Sequence, residues 1–312
     1  MYNLSDDIKE IAIDIGFHKI GISSIRLPEK NKLLEPWLIK KYHGTMEWMV
    51  MNKDKRMDIQ KFFPGAQSII CVAHNYFTPF KHSNLPDKGK ISRYAWGEDY
   101  HKIMKKMLKS LLQKIKDLDP SINGHICVDT SPIMEKLWAE QAGLGWQGKH
   151  TNIITKEYGS WIFLGELIVD KELSFDRPMD DFCGNCQACL QACPTNALIK
   201  PYVLDSSKCI SYLTIEYKDK PIPADFKKNM KQWIFGCDAC QDVCPWNKFQ
   251  KETSEKCYFP REKNINPDLE ELSTLNEVEY RLRFKRSPVL RAGLKNLVRN
   301  ARAVRIQTDC KK

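Results

Sequence analysis

The residues that most clearly carry chemistry are cysteines in the middle of the chain. Eight of the twelve cysteines lie between Cys183 and Cys244. The run CGNCQACLQACP, residues 183–194, has the spacing C-x2-C-x2-C-x3-C-P. Two-residue spacers let three thiolates converge on one metal cluster, and the proline turns the chain away after the fourth. This spacing predicts a 4Fe-4S cluster.

A second group of cysteines completes the pattern. Cys209 stands alone, and CDACQDVCP at 237–245 again ends in Cys-Pro. In the bacterial ferredoxin signature the fourth cysteine of a run binds the other cluster. Crossed ligation therefore predicts two clusters, held by Cys183, Cys186, Cys189 and Cys244 and by Cys193, Cys209, Cys237 and Cys240. The alternative is structural zinc, but zinc requires neither three tightly spaced cysteines nor a proline after both final ones.

The remaining cysteines do not indicate a disulfide framework. Cys71 and Cys127 lie in apolar segments and are expected in the core, whereas Cys257 and Cys310 lie in expected loops. The N-terminus lacks the basic and apolar regions of a secretory signal, and the longest apolar run, residues 161–169, is too short to cross a bilayer. We therefore expect a cytoplasmic protein without a transmembrane segment.

Positive charge is concentrated near the C-terminus. Lysine and arginine number 49 against 39 acidic residues, which gives a formal net charge of +10. Residues 280–307 contain nine lysines and arginines and no carboxylate. This stretch predicts an anionic partner such as RNA, although a solvated basic helix is the alternative.

The elements that must position this chemistry follow from hydrophobic periodicity. Residues 1–175 read as alternating helices and strands, beginning with a helix whose cap is Ser5 and whose end is Gly16. A second amphipathic helix runs up to Pro120. Composition changes near residue 176, so we predict three parts: 1–175, the cysteine-rich 176–256, and a helical basic segment, 257–312.

Asp129 is the candidate for acid–base chemistry in the first part. It follows the predicted strand GHICVD and directly precedes a helix that opens with Ser131-Pro132. Functional groups of α/β proteins often project from this position, although an aspartate there can also be an ordinary helix cap. His101, in DYHKIM, is interpreted as an ordinary helix histidine, since Met104 replaces the glycine of a cobalamin-binding D-x-H-x-x-G motif.

Several long motifs together resemble a known family. RYAWGEDYHKIMKKML, VDTSPIMEKLWAEQAGLGWQGKHTNIIT, GSWIFLGEL, CISYLTIEYK and FGCDACQDVCPWN, with the first cysteine run, are similar to the epoxyqueuosine reductases, which complete queuosine in tRNA. The resemblance covers residues 1 to about 300. It implies an α+β protein: a nitroreductase-like α/β cobalamin-binding domain, a two-cluster ferredoxin-like module and a short helical C-terminal segment, shorter than the HEAT-like repeats of longer members.

The resemblance also implies roles for individual residues. Asp129 corresponds to the proton donor of the family. Contacts to cobalamin are implied for Arg56, Ser92, Asp129, Ile153, Leu164, Ser211, Cys237 and Asp238. On the basic segment, we predict tRNA contacts for Arg291, Lys295 and Arg299.

The implied reaction converts an epoxide to an alkene in the anticodon loop of tRNA. It needs two electrons, which an external low-potential donor supplies to a monomeric enzyme through the two clusters and cobalamin. Asp129 then protonates the departing oxygen, which requires a raised pKa near neutral pH. Two alternatives stay open at this point: a cytoplasmic enzyme like the reductive dehalogenases, and a non-catalytic electron-transfer or cobalamin-binding protein.

Overall fold

The fold is known from a computed structural model that describes residues 3–26 and 28–309. Cys310 lies outside these residues. The α-helices, numbered along the chain, are α1 Leu4–Ile15, α2 Leu34–Ile39, α3 Trp48–Met51, α4 Lys53–Met57, α5 Ile59–Phe62, α6 Tyr100–Leu118, α7 Glu135–Gln141, α8 Ala188–Ala192, α9 Ile210–Ile215, α10 Ala224–Lys227, α11 Ala239–Asp242, α12 Glu262–Ile265, α13 Leu269–Thr274, α14 Glu277–Arg283 and α15 Leu294–Asp309.

The strands are β1 Lys19–Ser24, β2 Ser68–Asn75, β3 Lys90–Ile91, β4 Gly124–Cys127, β5 Trp146–Gln147, β6 Ile153–Ile154, β7 Ile162–Val169, β8 Leu198–Lys200, β9 Val203–Leu204 and β10 Trp233–Phe235. Two strands, β2 and β7, have eight residues each, and the other strands are shorter. Helices and strands therefore mix along the whole chain, which confirms the predicted α+β class.

The first helix shows where local sequence signals succeed and fail. Gly16 ends α1 with φ +110°, as predicted, because only glycine takes this conformation without cost. The cap is Asn3 and not Ser5: the Asn3 side chain accepts the Ser5 N–H at 3.1 Å. The Ser5 hydroxyl instead accepts the N–H of Ser174 at 2.8 Å, which ties the helix to a distant loop.

The central sheet is antiparallel and has the order β1-β2-β7-β4. Every residue of β2 is buried, since both faces of the sheet are covered. Helices α1 and α6 pack on one face with Ile70 and Val72, and α7 packs on the other with Ile69 and Cys71. Strand β6 pairs with β5, while β7 lies between β2 and β4.

Helix α6 presents one apolar stripe to the sheet. Met104, Leu108, Leu111 and Ile115 are fully buried at spacings of three and four residues. Asp99 caps the helix by accepting the N–H of His101 at 3.1 Å. The cap places the first turn of α6, and with it the His101 side chain, at the end of the sheet where β4 finishes.

The C-terminal segment shares a hydrophobic core with the cysteine-rich part. Leu213 and Phe235 belong to the same cluster as Phe284, Leu297 and Ala301. The division of the chain at residue 256 stays a prediction, and side chains from both sides of it pack together. In the described part of the chain, no helix combines the length and apolar character needed to cross a membrane.

Candidate active site

A deep cavity lies between the central sheet and the cysteine-rich part. Its volume is about 1300 Å³, larger than the roughly 300–1,000 Å³ usual for small-ligand pockets. Its walls come from Tyr76, Gln241 and the segments 46–62, 94–105, 129–136, 152–164, 211–216 and 286–291. The cavity can therefore hold a large cofactor together with part of a substrate.

Asp129 lies in the wall of this cavity at the end of β4. Its φ is +56°, a left-handed conformation that residues other than glycine adopt rarely and often at functional sites. The carboxylate of Glu135, at the start of α7, accepts the Asp129 N–H and fixes this turn. The Asp129 side chain is 42% exposed toward the cavity.

His101 is part of the site, contrary to its interpretation as an ordinary helix histidine. Its Nδ1 lies 2.6 Å from Asp99 Oδ1, and its Nε2 lies 3.1 Å from Asp129 Oδ2. Burial opposes the charged ring, but the carboxylates of Asp129 and Asp99 raise the pKa of His101 to about 9. The ring is therefore an imidazolium at neutral pH, with a carboxylate at each nitrogen.

This arrangement reverses the expected pKa shift of Asp129. Burial alone would raise the pKa of Asp129, but the hydrogen bond and charge of His101, and then the charges of Arg291 and Lys136, lower it below its usual range. The expected raised pKa is therefore wrong for the free protein, because these cations outweigh the effect of burial. Asp129 is therefore ionised at neutral pH, and the proton of the pair resides on His101.

Two further carboxyl groups lie behind Asp129. Burial, and then the charge of Asp129, raise the pKa of Glu135 to about 7. Glu166 is fully buried on β7, opposite Cys71 on one side and Cys127 on the other, and burial raises its pKa well above the usual range. Cys71 and Cys127 are themselves fully buried, which agrees with their predicted place in the core.

Arg56 is the strongest candidate to hold a cofactor. It lines the cavity on α4, its residue is 6% exposed, and its guanidinium lies 5.3 Å from the centre of the Trp48 ring. Its buried Nη1 has no hydrogen-bond partner among the described residues. Because a buried charged donor is costly to leave unpaired, this group fits an acceptor on a bound molecule.

The other predicted cofactor contacts divide into two groups. Ile153, Leu164 and Ser211 line the cavity with Asp129 and Arg56. Ser92 and Asp238 bind each other instead: Ser92 Oγ donates to Asp238 Oδ1 at 2.5 Å, and Arg93 N donates to Oδ2 at 2.7 Å. Ser92, Asp238 and Cys237 are not among the residues that line the cavity, and their cofactor contacts stay predictions.

The first predicted cysteine set faces the surface. Burial, and then the thiolates of Cys244, Cys183 and Cys186, raise the pKa of Cys189 to about 11, which shows that these four lie together. Cys186 is exposed, while Cys189 and Cys244 are buried. Trp146 and Trp246, with ring centres 4.9 Å apart, pack beside Cys183 and Cys244.

The second predicted set adjoins the cavity, and its four cysteines are all partly exposed. Burial raises the pKa of Cys240, as do the charges of Cys209, Asp238 and Cys193 and then of Cys189 from the first set, while burial and the charges of Cys209 and Cys240 raise the pKa of Cys237. The second set therefore lies together and adjoins the first set at Cys189. Lys136, a cavity residue, has its pKa lowered by burial and partly restored by Glu135, Cys240 and Cys209. Within residues 3–26 and 28–309, no three His, Cys, Asp or Glu side chains could hold a single metal ion.

The three predicted RNA contacts have different surroundings. Arg291 lines the cavity, where its Nε donates to Glu216 Oε1 at 2.8 Å and its Nη1 lies 3.7 Å from Asp129 Oδ2. The Lys295 side chain is 79% exposed. Arg299 uses its guanidinium within the fold, donating to backbone oxygens of Leu213, Tyr217 and Lys220 at 2.6–2.9 Å.

Comparison with known proteins places these features in a family. A model described as epoxyqueuosine reductase QueG, DUF1730, matches residues 56–130, and a 4Fe-4S double cluster binding domain matches residues 182–247. The second match favours iron–sulfur clusters over zinc. It covers all eight cysteines of the two sets.

Relatives match almost the whole chain. An epoxyqueuosine reductase of Atelocyanobacterium thalassa is 44% identical over 307 residues, 97% of this chain and 99% of its own. That of Leadbetterella byssophila is 46% identical over 303 residues, 96% and 98%. A crystal structure of an epoxyqueuosine reductase with an epoxyqueuosine-modified tRNA stem loop superposes with a TM-score of 0.89 at 29% identity, covering 98% of this chain and 81% of that one. The chain belongs to the epoxyqueuosine reductase family.

Proposed function

We propose that this protein reduces the epoxide of epoxyqueuosine in the anticodon wobble position of tRNA to the alkene of queuosine. The observation that carries the proposal is Asp129, an aspartate held by a histidine in the wall of a large cavity that adjoins a cysteine set. The reaction consumes two electrons and two protons and releases the epoxide oxygen as water. A cavity with a proton source on one wall and an electron source on another matches these demands.

The two cysteine sets would hold two 4Fe-4S clusters, which would supply electrons to the cavity. The crossed ligand sets, with Cys183, Cys186, Cys189 and Cys244 on one cluster, are supported by the way the thiols group in space. In the second set, the sulfur of Cys193 accepts the N–H of Ala197 at 3.2 Å. Hydrogen bonds to sulfur and burial set cluster potentials.

Cobalamin is the cofactor we assign to the cavity. Arg56, Ile153, Leu164 and Ser211 would hold it, and the unpaired Nη1 of Arg56 together with the volume of about 1300 Å³ supports the fit. When bound, it supplies a cobalt centre that can pass electrons to carbon. Phe163, Tyr100 and Ile162 also line the cavity and would offer the cofactor aromatic and aliphatic surface.

Asp129 supplies a proton to the departing oxygen. A positioned general acid contributes about 10²–10⁴-fold in rate. The carboxyl group must carry a proton at the moment of transfer, although its pKa is lowered in the free protein. The proton therefore has to arrive from a neighbouring group.

The tRNA is bound at the mouth of the cavity by the C-terminal segment 257–312. Lys295 is exposed, and Arg291 reaches the cavity from the same segment. Anticodon loops are recognised through splayed bases with basic side chains on the phosphates. The protein acts as a monomer in the cytoplasm, with its cofactor domain in residues 1–175, its clusters in 176–256 and an external low-potential electron donor.

Anaerobic turnover tests the function directly. The protein, reconstituted with iron, sulfide and cobalamin, is incubated with a stem loop carrying epoxyqueuosine and with reduced methyl viologen. Nucleosides are then separated and identified by mass spectrometry. We expect queuosine to appear in place of epoxyqueuosine. Failure to form queuosine with both clusters and cobalamin bound would contradict the proposal, and turnover of a halogenated phenol instead would favour a dehalogenase.

A further inference from the structure

We propose that Asp99 and His101 are positioning residues that store a proton behind Asp129, so that Asp129 delivers a proton that His101 holds. The inference rests on the proposed function, because the proton has no acceptor without the epoxide oxygen. His101 does not have to touch the substrate. It acts through the contact between its Nε2 and Asp129 Oδ2, 3.1 Å apart.

The geometry orients the imidazole uniquely. Asp99 Oδ1 accepts both the backbone N–H of His101, at 3.1 Å, and the ring Nδ1, at 2.6 Å. The Tyr100 ring stacks on the imidazole with centres 4.1 Å apart and lies 4.0 Å from the Phe163 ring, nearly parallel to it. The ring therefore cannot turn its Nε2 away from Asp129 without breaking the hydrogen bond at Nδ1.

Carboxylates dominate the charges next to His101. Asp99 on its own element and Asp129 on the loop after β4 contact the two ring nitrogens directly. Behind Asp129, Glu135 at the start of α7 accepts the Asp129 N–H. These groups stabilise a protonated ring, and His101 can be recharged from solvent because its side chain is 20% exposed.

Cations also face the pair and keep Asp129 ionised between turnovers. Arg291, from the C-terminal segment, lies 3.7 Å from Asp129 Oδ2 and is itself paired with Glu216 after α9. Lys136 on α7 and Lys102 and Lys105 on α6 line the same cavity, as does Arg286, whose guanidinium lies 2.7 Å from Glu98. With these groups around it, the Asp129 carboxylate is ionised between turnovers and takes up a proton only to pass it on.

Each turnover consumes two protons, and both pass from His101 to Asp129. The proton on His101 Nε2 passes to Asp129 Oδ2, and Asp129 then gives it to the epoxide oxygen as the carbon–oxygen bond breaks. His101, now neutral, takes a second proton from solvent and delivers it by the same route, and one further proton from solvent then restores the imidazolium. The two protons and the two electrons from the clusters convert the epoxide to an alkene and one water. Asp129 and His101 end the cycle as they began it.

The test compares His101→Gln with the parent protein. Glutamine can donate a hydrogen bond to Asp129 but cannot carry an exchangeable positive charge. With the parent protein, we expect the single-turnover rate at saturating tRNA to fall as pH rises through about 9, the pKa of His101. In the variant we expect a rate lower by about 10-fold or more, with an alkaline limb shifted by more than about one pH unit to lower pH. The KM for tRNA stays unchanged.

A second measurement does not depend on turnover. The pKa of His101 is measured by NMR in protein labelled at histidine, without cobalamin, in the parent protein and in Asp99→Asn. We expect the pKa of His101 to fall from about 9 toward the ordinary value of roughly 6.5 in the variant. His125→Gln is the matched control, since His125 is exposed and its ring packs against Phe62 and Phe63.

The outcomes separate this inference from the proposed function. If the parent protein makes queuosine and His101→Gln keeps both its rate and its pH profile, the proton store is wrong while the function stands. If the parent protein makes no queuosine, the function itself is wrong. An unchanged pKa of His101 in a folded Asp99→Asn protein would also overturn the role of Asp99.

Discussion

The two cysteine sets have the same number of thiols but face different parts of the molecule. The set of Cys183, Cys186, Cys189 and Cys244 opens to solvent at Cys186 and packs against two tryptophans. In the wall of the cavity, burial lowers the pKa of Lys136, and the charges of Glu135 and then of Cys240 and Cys209 from the other set partly restore it. A relay must accept electrons outside and release them inside, so the difference suggests a direction: electrons enter at the surface-facing set and leave from the cavity-facing set.

The groups that supply protons to the cavity lie on other elements than the cysteines. The cavity-facing cysteine set reaches the cavity wall next to Ser211, whereas Asp129 and His101 come from the loop after β4 and from α6. Electrons and protons therefore reach the reacting atoms from different elements. Substitutions on one side should leave the other side intact.

Removal of the cavity-facing set has the largest expected effect. Cys209→Ala takes a ligand from the cluster next to the cavity, and we expect turnover to be lost with every reductant, since no path to the cavity remains. Iron content and circular dichroism of the purified variant establish that the protein is folded and retains the other cluster. Turnover at the parent rate in a variant lacking this cluster would show that electrons bypass it.

Substitution of Asp129 tests the supply of protons separately from the supply of electrons. In Asp129→Asn we expect the single-turnover rate to fall by about 10²–10⁴-fold, the usual contribution of a general acid. Both clusters should still be reduced at the parent rate, which electron paramagnetic resonance can follow. Full activity in a variant with bound cofactor would remove Asp129 from the mechanism.

Removal of the unpaired guanidinium tests the cavity itself. Arg56→Gln should weaken cobalamin binding by about 10-fold or more, because a hydrogen bond to a charged group contributes roughly 1.5–3 kcal/mol. Binding is measured by the absorbance of cobalamin in equilibrium dialysis. Arg26→Gln is a suitable control, as Arg26 is exposed and is not among the residues that line the cavity. Equal affinity in the two variants would place the cofactor elsewhere.

Reversal of one surface charge has the smallest expected effect. Lys295→Glu should weaken tRNA binding several-fold and reduce the slope of affinity against salt concentration by roughly one phosphate contact. Fluorescence anisotropy with a labelled stem loop at several salt concentrations provides the measurement. Arg299 should be avoided in this test, because its bonds to backbone oxygens stabilise the fold. An unchanged affinity and slope would exclude Lys295 from the RNA surface.

The features predicted from sequence are those encoded locally. The cysteine sets follow from two-residue spacers and proline, and the position of Asp129 follows from a strand that ends before a helix. His101 was missed because its contact with Asp129 joins residues 28 positions apart, and helical periodicity carries no signal for such a pair. The structural role of Arg299 was missed for the same reason, because the backbone oxygens that it contacts lie 79–86 positions away.

The direction of the electron relay is tested most directly by Cys186→Ala. We expect this variant to reduce epoxyqueuosine at close to the parent rate with a small reductant such as reduced methyl viologen, which can reach the remaining cluster. With a protein donor such as a reduced flavodoxin, its rate should collapse, because the surface-facing cluster is damaged. Equal loss of activity with both reductants, in a variant that keeps the cavity-facing cluster, would contradict the proposed direction.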